Sequence, residues 1–231
     1  MTDLRWFGNA DVERAIETAR REDKPLFVDF WHPTCLGCAK LFATTYRNEA
    51  VLEVLGSTFV CVKYNTTGPN EFFRKLNGSF AHVWHPDIVV LDATLHEVRR
   101  SIGYLPPMEL MAQALIGAGL ERLYRLKPRV ALVLLSRAID ECAGSSQVPE
   151  ALYWAGVAAY RAEGALAGLL PFWTALISRF PGSDWARRAD CLDVEIREGG
   201  FTMSDPASVR LIRPSIDGAS ADAQAVAPAA R

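Results

Sequence analysis

The stretch that decides the fold is KPLFVDFWHPTCLGCAK, which covers residues 24–40. Its residues 26–31 form a short apolar run rich in aromatic side chains, and this pattern predicts a buried strand. Residues 32–34 include a proline and break the strand, and a helical pattern of apolar residues begins at Cys35. The sequence therefore predicts a strand that leads into a helix, with two cysteines at the start of that helix.

Cys35 and Cys38 have the C-x-x-C spacing, which places them about one helical turn apart and close enough to form a disulfide. Cys35 faces the unpaired N–H groups at the helix start and their partial positive charge, and both favour the thiolate. We expect Cys35 to be the nucleophile and Cys38 to resolve a mixed disulfide by attacking it. A bare C-x-x-C is weak evidence, because it also fits half of a zinc site or chance.

The first half of the chain alternates between strand and helix patterns, and its last two strands follow each other directly. This order predicts an α/β fold, a three-layer α/β/α domain over residues 1–126. The predicted helices cover residues 9–22, 35–47, 50–55, 70–76 and 106–125, and the predicted strands cover residues 26–31, 59–64, 87–91 and 97–103.

Residues 24–40 resemble the thioredoxin superfamily, in which an apolar strand with an aspartate and an aromatic pair leads into C-x-x-C and a lysine. The resemblance covers about residues 4–125, roughly half of the chain. It implies a thioredoxin-like fold and the exchange of electrons between a dithiol and a disulfide.

The resemblance also implies roles for residues outside the cysteine pair. Asp29 matches the buried aspartate that assists proton transfer in thioredoxins, and Lys63 matches the lysine near that aspartate. Pro86 matches the cis-proline that faces the active cysteines, in a loop whose backbone pairs with the substrate chain. Trp31, His85 and Lys63 are the residues expected to tune the redox couple or to contact the substrate.

Physical arguments support these roles and leave alternatives open. A buried Asp29 would have a raised pKa that suits a proton acceptor for Cys38, whereas a strand-end aspartate in water would have no such role. Lys63 could equally point outward, and Pro86 could be an ordinary trans proline. A protonated His85 near Cys35 would stabilise the thiolate, and the alternative is a loop histidine without a task.

The sequence departs from the common thioredoxin pattern around the cysteines. Thr34 stands where many thioredoxins have tryptophan, and Leu36-Gly37 replaces the usual Gly-Pro inside the motif. A proline there favours the reducing form in the family, so its absence leaves the direction of electron flow open. His32 could act on Cys35 in the same way as His85.

A zinc site is the alternative reading of the cysteine pair. His82 and His85 complete the pattern C-x-x-C…H-x-x-H, which is a possible zinc ligand set. However, 43 residues separate the two pairs, against about 12–15 in a zinc finger. The C-x-x-C also begins a helix, which does not suit a closed structural site. We therefore expect no metal and no cofactor.

The second half of the chain has a different character. Residues 149–182 resemble a degenerate tetratricopeptide repeat of one 34-residue period, which implies an all-α domain of helical hairpins over residues 127–200. Such a domain would bind a partner protein, or alternatively only stabilise the fold. Residues 201–231 are rich in Ala, Ser, Pro and Asp and are expected to be disordered. The helices are predicted at 129–143, 149–163, 166–180 and 184–197, with no strand between residues 129 and 197.

Composition narrows the possible partners and the location. The chain has 231 residues and a formal net charge of −2, which gives no indication of nucleic acid or an anionic membrane surface as a partner. No apolar run reaches the roughly 18 residues of a membrane span, and the first residues lack the apolar core of a secretory signal. We expect a cytoplasmic protein, and a misassigned start codon is the alternative.

The five cysteines are an odd number spread unevenly, which does not fit a disulfide scaffold. We expect one reactive pair and, in Cys61, a buried thiol in a central strand. Cys142 and Cys191 fall in the helical half and are expected to be free thiols, with a regulatory disulfide between them as the alternative.

Together, these features predict an enzyme. It would be a thiol-disulfide oxidoreductase whose Cys35–Cys38 pair cycles between dithiol and disulfide by exchange with a protein client. Such an enzyme needs an electron donor, such as a reductase, to regenerate the dithiol. The alternative is a non-enzymatic interaction or chaperone-like module with a redox-sensing C-x-x-C.

Overall fold

The structure is a computed structural model that describes residues 4–67, Phe72, residues 83–196 and residues 209–211. It confirms the predicted architecture, an α/β part followed by a helical extension. The elements of the α/β part are β1 (Trp6–Phe7), α1 (Val12–Glu22), β2 (Leu26–Trp31), α2 (Leu36–Ala43), α3 (Glu49–Thr58), β3 (Val60–Asn65), β4 (Asp87–Leu91), β5 (Glu97–Ile102) and α4 (Pro107–Tyr124).

The main differences from the predicted bounds concern the end of α2 and the first strand. The predicted helix over residues 35–47 ends at Ala43, because Thr44 leaves the helical conformation, with φ −127° and ψ −70°, and a 3-10 turn, Thr45–Arg47, follows. The strand β1 was not predicted, since two residues are too few to form a recognisable alternation. Of the predicted helix at residues 70–76, only Phe72 lies among the described residues, and it is helical.

The sheet has five strands in the order β1-β3-β2-β4-β5. β1, β3 and β2 are parallel, β4 is antiparallel to β2, and β5 is antiparallel to β4. β2 occupies the centre, and the first five of its six residues are buried. This position explains its nearly continuous apolar sequence, because neither face of a strand that is covered on both sides contacts solvent.

Helices cover both faces of the sheet. α1 places Val12, Ala15, Ile16 and Ala19 against one face, in the 3-4 spacing that its sequence predicted. α2, α3 and α4 cover the other face, where the Phe27 side chain of β2 joins the larger apolar core. The result is the three-layer arrangement, with α2 starting where the central strand ends.

α4 is buried around most of its circumference, because it packs on the sheet on one side and on the helical extension on the other. Two glycines allow this close packing. A Cβ atom on Gly117 would lie 2.8 Å from Val90 of β4, and a Cβ atom on Gly119 would lie 2.7 Å from Leu135 of the following helix. The apolar core therefore continues from the sheet into the extension, and the boundary predicted near residue 126 stays a prediction.

The extension consists of helices joined by short turns, and it ends in two short strands. Contrary to the prediction of an unbroken helix over residues 184–197, the last helix stops at Ala189 and a strand follows. That strand pairs with one inside the segment predicted to be disordered, whose other residues lie outside the described ones. Three-residue strands with a distant partner leave no pattern in the sequence. The elements are α5 (Pro128–Glu141), α6 (Val148–Glu163), α7 (Leu166–Arg179), α8 (Asp184–Ala189), β6 (Val194–Ile196) and β7 (Val209–Leu211).

None of the helices in the described part of the chain is both long enough and apolar enough to cross a membrane.

A buried ion pair fastens the edge of the sheet to the extension. The guanidinium of Arg99 in β5 donates to both carboxylate oxygens of Glu150 in α6, at 2.6 and 2.8 Å. Arg99 also donates to the side-chain oxygens of Gln113 and Gln147. The side chains of Arg99 and Glu150 are only 14% and 11% exposed, so solvent screens the pair weakly.

We expect Glu150→Ala to lower the free energy of unfolding by about 3 kcal/mol, because it leaves the Arg99 charge buried without its carboxylate partner. Urea denaturation of the full chain measures this change. The control is Arg14→Ala, which breaks the exposed Arg14–Asp11 pair and should cost less than about 1 kcal/mol. Equal losses in the two variants would show that the buried pair contributes no more than a surface one.

Candidate active site

The cysteine pair lies at the start of α2, just after the end of β2. Cys35 is the N-cap residue of α2, and it forms a disulfide with Cys38, whose Cα atom is 5.3 Å away. The backbone N–H of Cys38 donates to the Sγ atom of Cys35 at 3.0 Å, as expected for an N-cap acceptor. Cys35 is half-buried, whereas Cys38 is 1% exposed. An external thiol can therefore reach Cys35 more easily than Cys38.

The loop before β4 lies against this helix start. The His85–Pro86 peptide bond is cis, as predicted from the resemblance. A Cβ atom on Gly37 would lie 2.8 Å from the Cδ atom of Pro86, so the glycine inside the motif permits the contact. The Pro86 carbonyl accepts a hydrogen bond from Gly103, which ends β5 with a φ of 100°.

A groove of about 340 Å³ opens beside Cys35. The rings of His32 and His85 have centroids 5.9 Å apart, and both residues line the groove. The side chain of His32 contacts the Thr34 hydroxyl at 2.9 Å, and that of His85 contacts the Thr66 hydroxyl at 3.1 Å. The two histidines singled out in the sequence are thus brought together at the cysteine pair.

Two apolar side chains of the groove were not predicted to belong to the site. Leu36 is 88% exposed and Trp84 is 69% exposed, although both are large and hydrophobic. Their positions in the sequence could have indicated this, since Leu36 lies inside the C-x-x-C motif and Trp84 comes two residues before the cis-proline. Trp31, which was predicted to tune the redox couple or to contact the substrate, is not among the residues that line this groove. Its ring packs edge-on against Phe42 of α2, at a centroid distance of 5.5 Å.

Asp29 is fully buried in the middle of β2. Since side chains alternate along a strand, Asp29 shares the face of Phe27, which is the face that α2 covers. Burial raises the pKa of Asp29 from 3.8 to about 7, and the nearby Tyr46 hydroxyl and Lys63 ammonium only partly oppose this shift. Cys38 lies on the buried side of α2 with Leu41, so the carboxyl and the inner cysteine occupy the same side of the sheet.

Lys63 is paired with Asp29 in the register of β2 and β3. Its side chain is half-buried among aromatic rings, with the Nζ atom 4.2 Å from the ring centroid of Trp6, 4.6 Å from that of Phe42 and 4.7 Å from that of Tyr46. Burial lowers the pKa of Lys63, and Asp29 opposes that change. Lys63 is therefore not directed freely into solvent, which was the alternative left open by the sequence.

The remaining cysteines take no part in this site. Cys61 is buried in β3, as predicted, and burial raises the pKa of its thiol. Cys142 is also a buried free thiol, with a pKa raised by burial to about 11, and Cys191 is an exposed free thiol. Among the residues that the structure describes, no three His, Cys, Asp or Glu side chains are placed to hold a metal ion, and His82 lies outside them.

Comparison with known proteins agrees with this geometry. Residues 6–93 match a protein family described as thioredoxin-like, which confirms the resemblance for that part of the chain. Among curated proteins, none is similar enough to this chain to count as a relative.

The solved structures that are similar to the chain include a thioredoxin and two Dsb proteins. A thioredoxin from Thermus thermophilus is 20% identical, with 49% of this chain and 85% of that chain covered and a TM-score of 0.41. The oxidised C-terminal domain of DsbD from Neisseria meningitidis is 20% identical, with coverages of 44% and 90% and a TM-score of 0.37. A DsbH oxidoreductase is 18% identical, with coverages of 46% and 76% and a TM-score of 0.37.

We expect Gly37→Ala to destabilise the protein by about 1–3 kcal/mol, because the new methyl group would overlap the Pro86 ring and push the loop away from α2. Thermal or urea unfolding measures the loss. Gly8→Ala is the matched control, since a Cβ atom there meets nothing within 4 Å. A Gly37→Ala protein as stable as the control would contradict the tight contact between motif and loop.

Asp29→Asn should change the pH dependence of stability. The folded protein holds the Asp29 proton up to about pH 7, whereas the unfolded chain releases it near pH 4, so the wild-type free energy of unfolding falls across this window. Asparagine cannot ionise. The free energy of unfolding of the variant, relative to that of the wild type, should therefore rise by roughly 1 kcal/mol per pH unit between pH 4 and pH 7. Urea titrations at pH 4, 5.5 and 7 measure the difference.

The control for this experiment is Asp184→Asn, which changes an exposed carboxylate in α8. A change with pH that both variants share would not be due to the burial of Asp29. A difference between Asp29→Asn and the wild type that is constant over this pH range would show that Asp29 does not hold its proton in the folded state.

Proposed function

We propose that this protein is a thiol-disulfide oxidoreductase whose Cys35–Cys38 pair exchanges a disulfide with a client protein. The observation that carries the proposal is the disulfide at the start of α2, which joins the half-buried Cys35 to the buried Cys38 beside an open groove. A disulfide-exchange enzyme needs this asymmetry, because one cysteine must be accessible to attack the client disulfide and the other must be held nearby to resolve the mixed disulfide.

In the reducing direction, the Cys35 thiolate attacks one sulfur of a client disulfide. A mixed disulfide forms, and the other client sulfur leaves as a thiolate that takes up a proton. The Cys38 thiolate then attacks the Sγ atom of Cys35, the second client thiolate leaves, and the Cys35–Cys38 disulfide is complete. Two electrons pass from the enzyme to the client, and a dithiol electron donor, such as a reductase, returns the enzyme to its starting state.

The surrounding residues would supply the proton chemistry and the contacts. Asp29 is suited to accept the proton of Cys38, because burial brings its pKa to about 7. A protonated His85 would stabilise the Cys35 thiolate from across the groove. Trp84 and Leu36 offer exposed apolar surface to a client segment.

The direction of electron flow depends on a difference of reduction potentials, in which about 30 mV corresponds to roughly 1.4 kcal/mol. The motif lacks the proline that favours the reducing form in thioredoxins, so the sequence does not fix this direction. The cytoplasmic location, the donor and the absence of nucleic-acid and membrane partners stay predictions.

The second candidate function is an interaction module that uses the helical extension. Apolar side chains remain exposed there, among them Val130 and Val133 on α5 and Leu166 and Leu170 on α7. A tetratricopeptide-like role for α5–α8, with a partner protein bound to them, stays part of this proposal. In that case the cysteine pair would report the redox state without turning over a client.

The test is equilibration of the purified protein with graded mixtures of reduced and oxidised glutathione, followed by thiol trapping and mass spectrometry. We expect a reversible two-electron transition at Cys35–Cys38 in the wild type. Its midpoint gives the reduction potential and therefore the direction of flow. Cys35→Ser should abolish the transition, and Cys38→Ser should accumulate a mixed disulfide with glutathione at Cys35.

Cys191→Ser is the matched control, because it removes an exposed cysteine outside the site and should leave the transition unchanged. If no Cys35–Cys38 disulfide forms in any of the mixtures, the oxidoreductase proposal fails and the interaction module takes its place.

A further inference from the structure

Thr66 connects three segments that meet beside the cysteine pair. It is the first residue after β3, and its backbone N–H donates to the carbonyl of Trp31, the last residue of β2, at 3.0 Å. Its hydroxyl donates to the same carbonyl at 3.1 Å and contacts the Nε2 atom of His85, also at 3.1 Å. The ends of β2 and β3 and the cis-proline loop are therefore joined through one partly buried side chain.

The direction of the hydrogen bond between Thr66 and His85 follows from the hydroxyl proton. A threonine hydroxyl has one proton to donate, and its oxygen can also accept. The Trp31 carbonyl can only accept, so the hydroxyl proton points to it. The Thr66 oxygen then accepts from His85, whose Nε2 atom carries a proton. A second proton on the ring goes to Nδ1 and leaves this hydrogen bond in place.

His32, the other histidine of the groove, is held in the opposite sense. Its Nδ1 atom accepts from the backbone N–H of Thr34 at 3.3 Å and lies 2.9 Å from the Thr34 hydroxyl. A hydrogen bond from an N–H group requires a ring nitrogen without a proton. Of the two rings, that of His85 is therefore the one that can carry a proton on both nitrogens and keep its hydrogen bond to a threonine.

His85 lies against the helix start that carries the cysteines. A Cβ atom on Gly37 would lie 3.8 Å from the His85 carbonyl oxygen, and His85 lines the same groove as Cys35. The rings of the two histidines in this groove have centroids only 5.9 Å apart. A charge on His85 is thus placed in the groove that an incoming disulfide must enter to reach Cys35.

The groove has few other titratable groups. Among the described residues that line it, His32, Cys35 and His85 can titrate, and none is an Asp, Glu, Lys or Arg. The carboxylate that follows the loop, that of Asp87 in β4, is buried and paired with Arg100 at 2.6 Å. Within the described lining, a full positive charge beside the Cys35 thiolate can therefore come only from a histidine.

We propose that Thr66 is a positioning residue that holds the His85 ring in the groove, favours its protonated form and thereby favours the Cys35 thiolate. This inference rests on the proposed function and adds a residue to it. A hydrogen bond from a charged donor is about twice as strong as one between neutral groups, so the Thr66 oxygen stabilises the imidazolium more than the neutral ring. When Cys35 ionises, its S–H bond breaks, the proton goes to water and the sulfur keeps the electron pair.

The test is Thr66→Val, which removes the hydroxyl and keeps the size and branching of the side chain. Alkylation of the reduced protein with iodoacetamide, followed at Cys35 by peptide mass spectrometry from pH 4 to pH 10, reports the thiolate fraction. We expect the midpoint of this profile to rise. For each half unit of that rise the rate should be about three-fold lower on the acidic side, with the same plateau on the alkaline side. Thr66→Ser keeps a hydroxyl and should restore the wild-type midpoint.

Thr67→Val is the matched control, because it makes the same change at the next residue, whose hydroxyl donates to Asn65 instead, at 2.8 Å. It should leave the midpoint unchanged. In a His85→Ala background, Thr66→Val should also leave the midpoint unchanged, since the two substitutions remove the same interaction. A shift that persists without His85, or a rate that falls equally at every pH, would show that Thr66 acts through the fold alone and would overturn the proposal.

A histidine NMR titration separates this proposal from the proposed function. In Thr66→Val, the His85 ring should take up its proton at a lower pH than in the wild type, whether or not the protein exchanges disulfides. Equal His85 titrations in the two proteins overturn the role of Thr66. If the titration and the alkylation profile both shift but the wild type shows no exchange with glutathione, Thr66 does act on the groove, and it is the oxidoreductase function that fails.

Discussion

The burial of β2 on both faces of the sheet is the constraint on which the rest of the structure depends. A central strand must be apolar, yet this one contains Asp29, whose side chain reaches the core with no solvent to stabilise its charge. The same strand ends at Trp31, four residues before Cys35, so the position of the strand fixes both the Asp29 carboxyl and the start of α2. The packing around β2 that stabilises the fold therefore also fixes the positions of Asp29 and of the cysteines at the start of α2.

The arrangement around the cysteines separates two tasks. Cys35 lies at a helix start, next to unpaired backbone N–H groups, and faces the groove between two histidines. Cys38, one turn further, is enclosed by protein and lies on the side of the sheet where Asp29 is buried. The accessible Cys35 is suited to attack an external disulfide. The enclosed Cys38 is suited to a direct proton transfer to a nearby group, because water is excluded from it.

The sequence predicts the sheet and the cysteine pair well, because each depends on local pattern. The strand at residues 26–31, the cysteines in the first helical turn and the cis-proline at Pro86 all lie where the sequence placed them. It did not predict that Trp84 lines the groove, since this placement depends on contacts between segments distant in sequence. The pairing of β6 with β7 was missed for the same reason, and the role of each site residue stays a prediction until measured.

The helix α4 has a consequence for the molecule as a whole. Its residues are buried on one side by the sheet and on the other by the extension, and Gly117 and Gly119 hold the neighbours close on opposite sides. Without either neighbour, a long apolar surface would face water. We therefore expect the two parts to lose their structure cooperatively, as a single unit, although the sequence reads as two successive domains. A disturbance far out in the extension would in this way reach the scaffold that supports the cysteines.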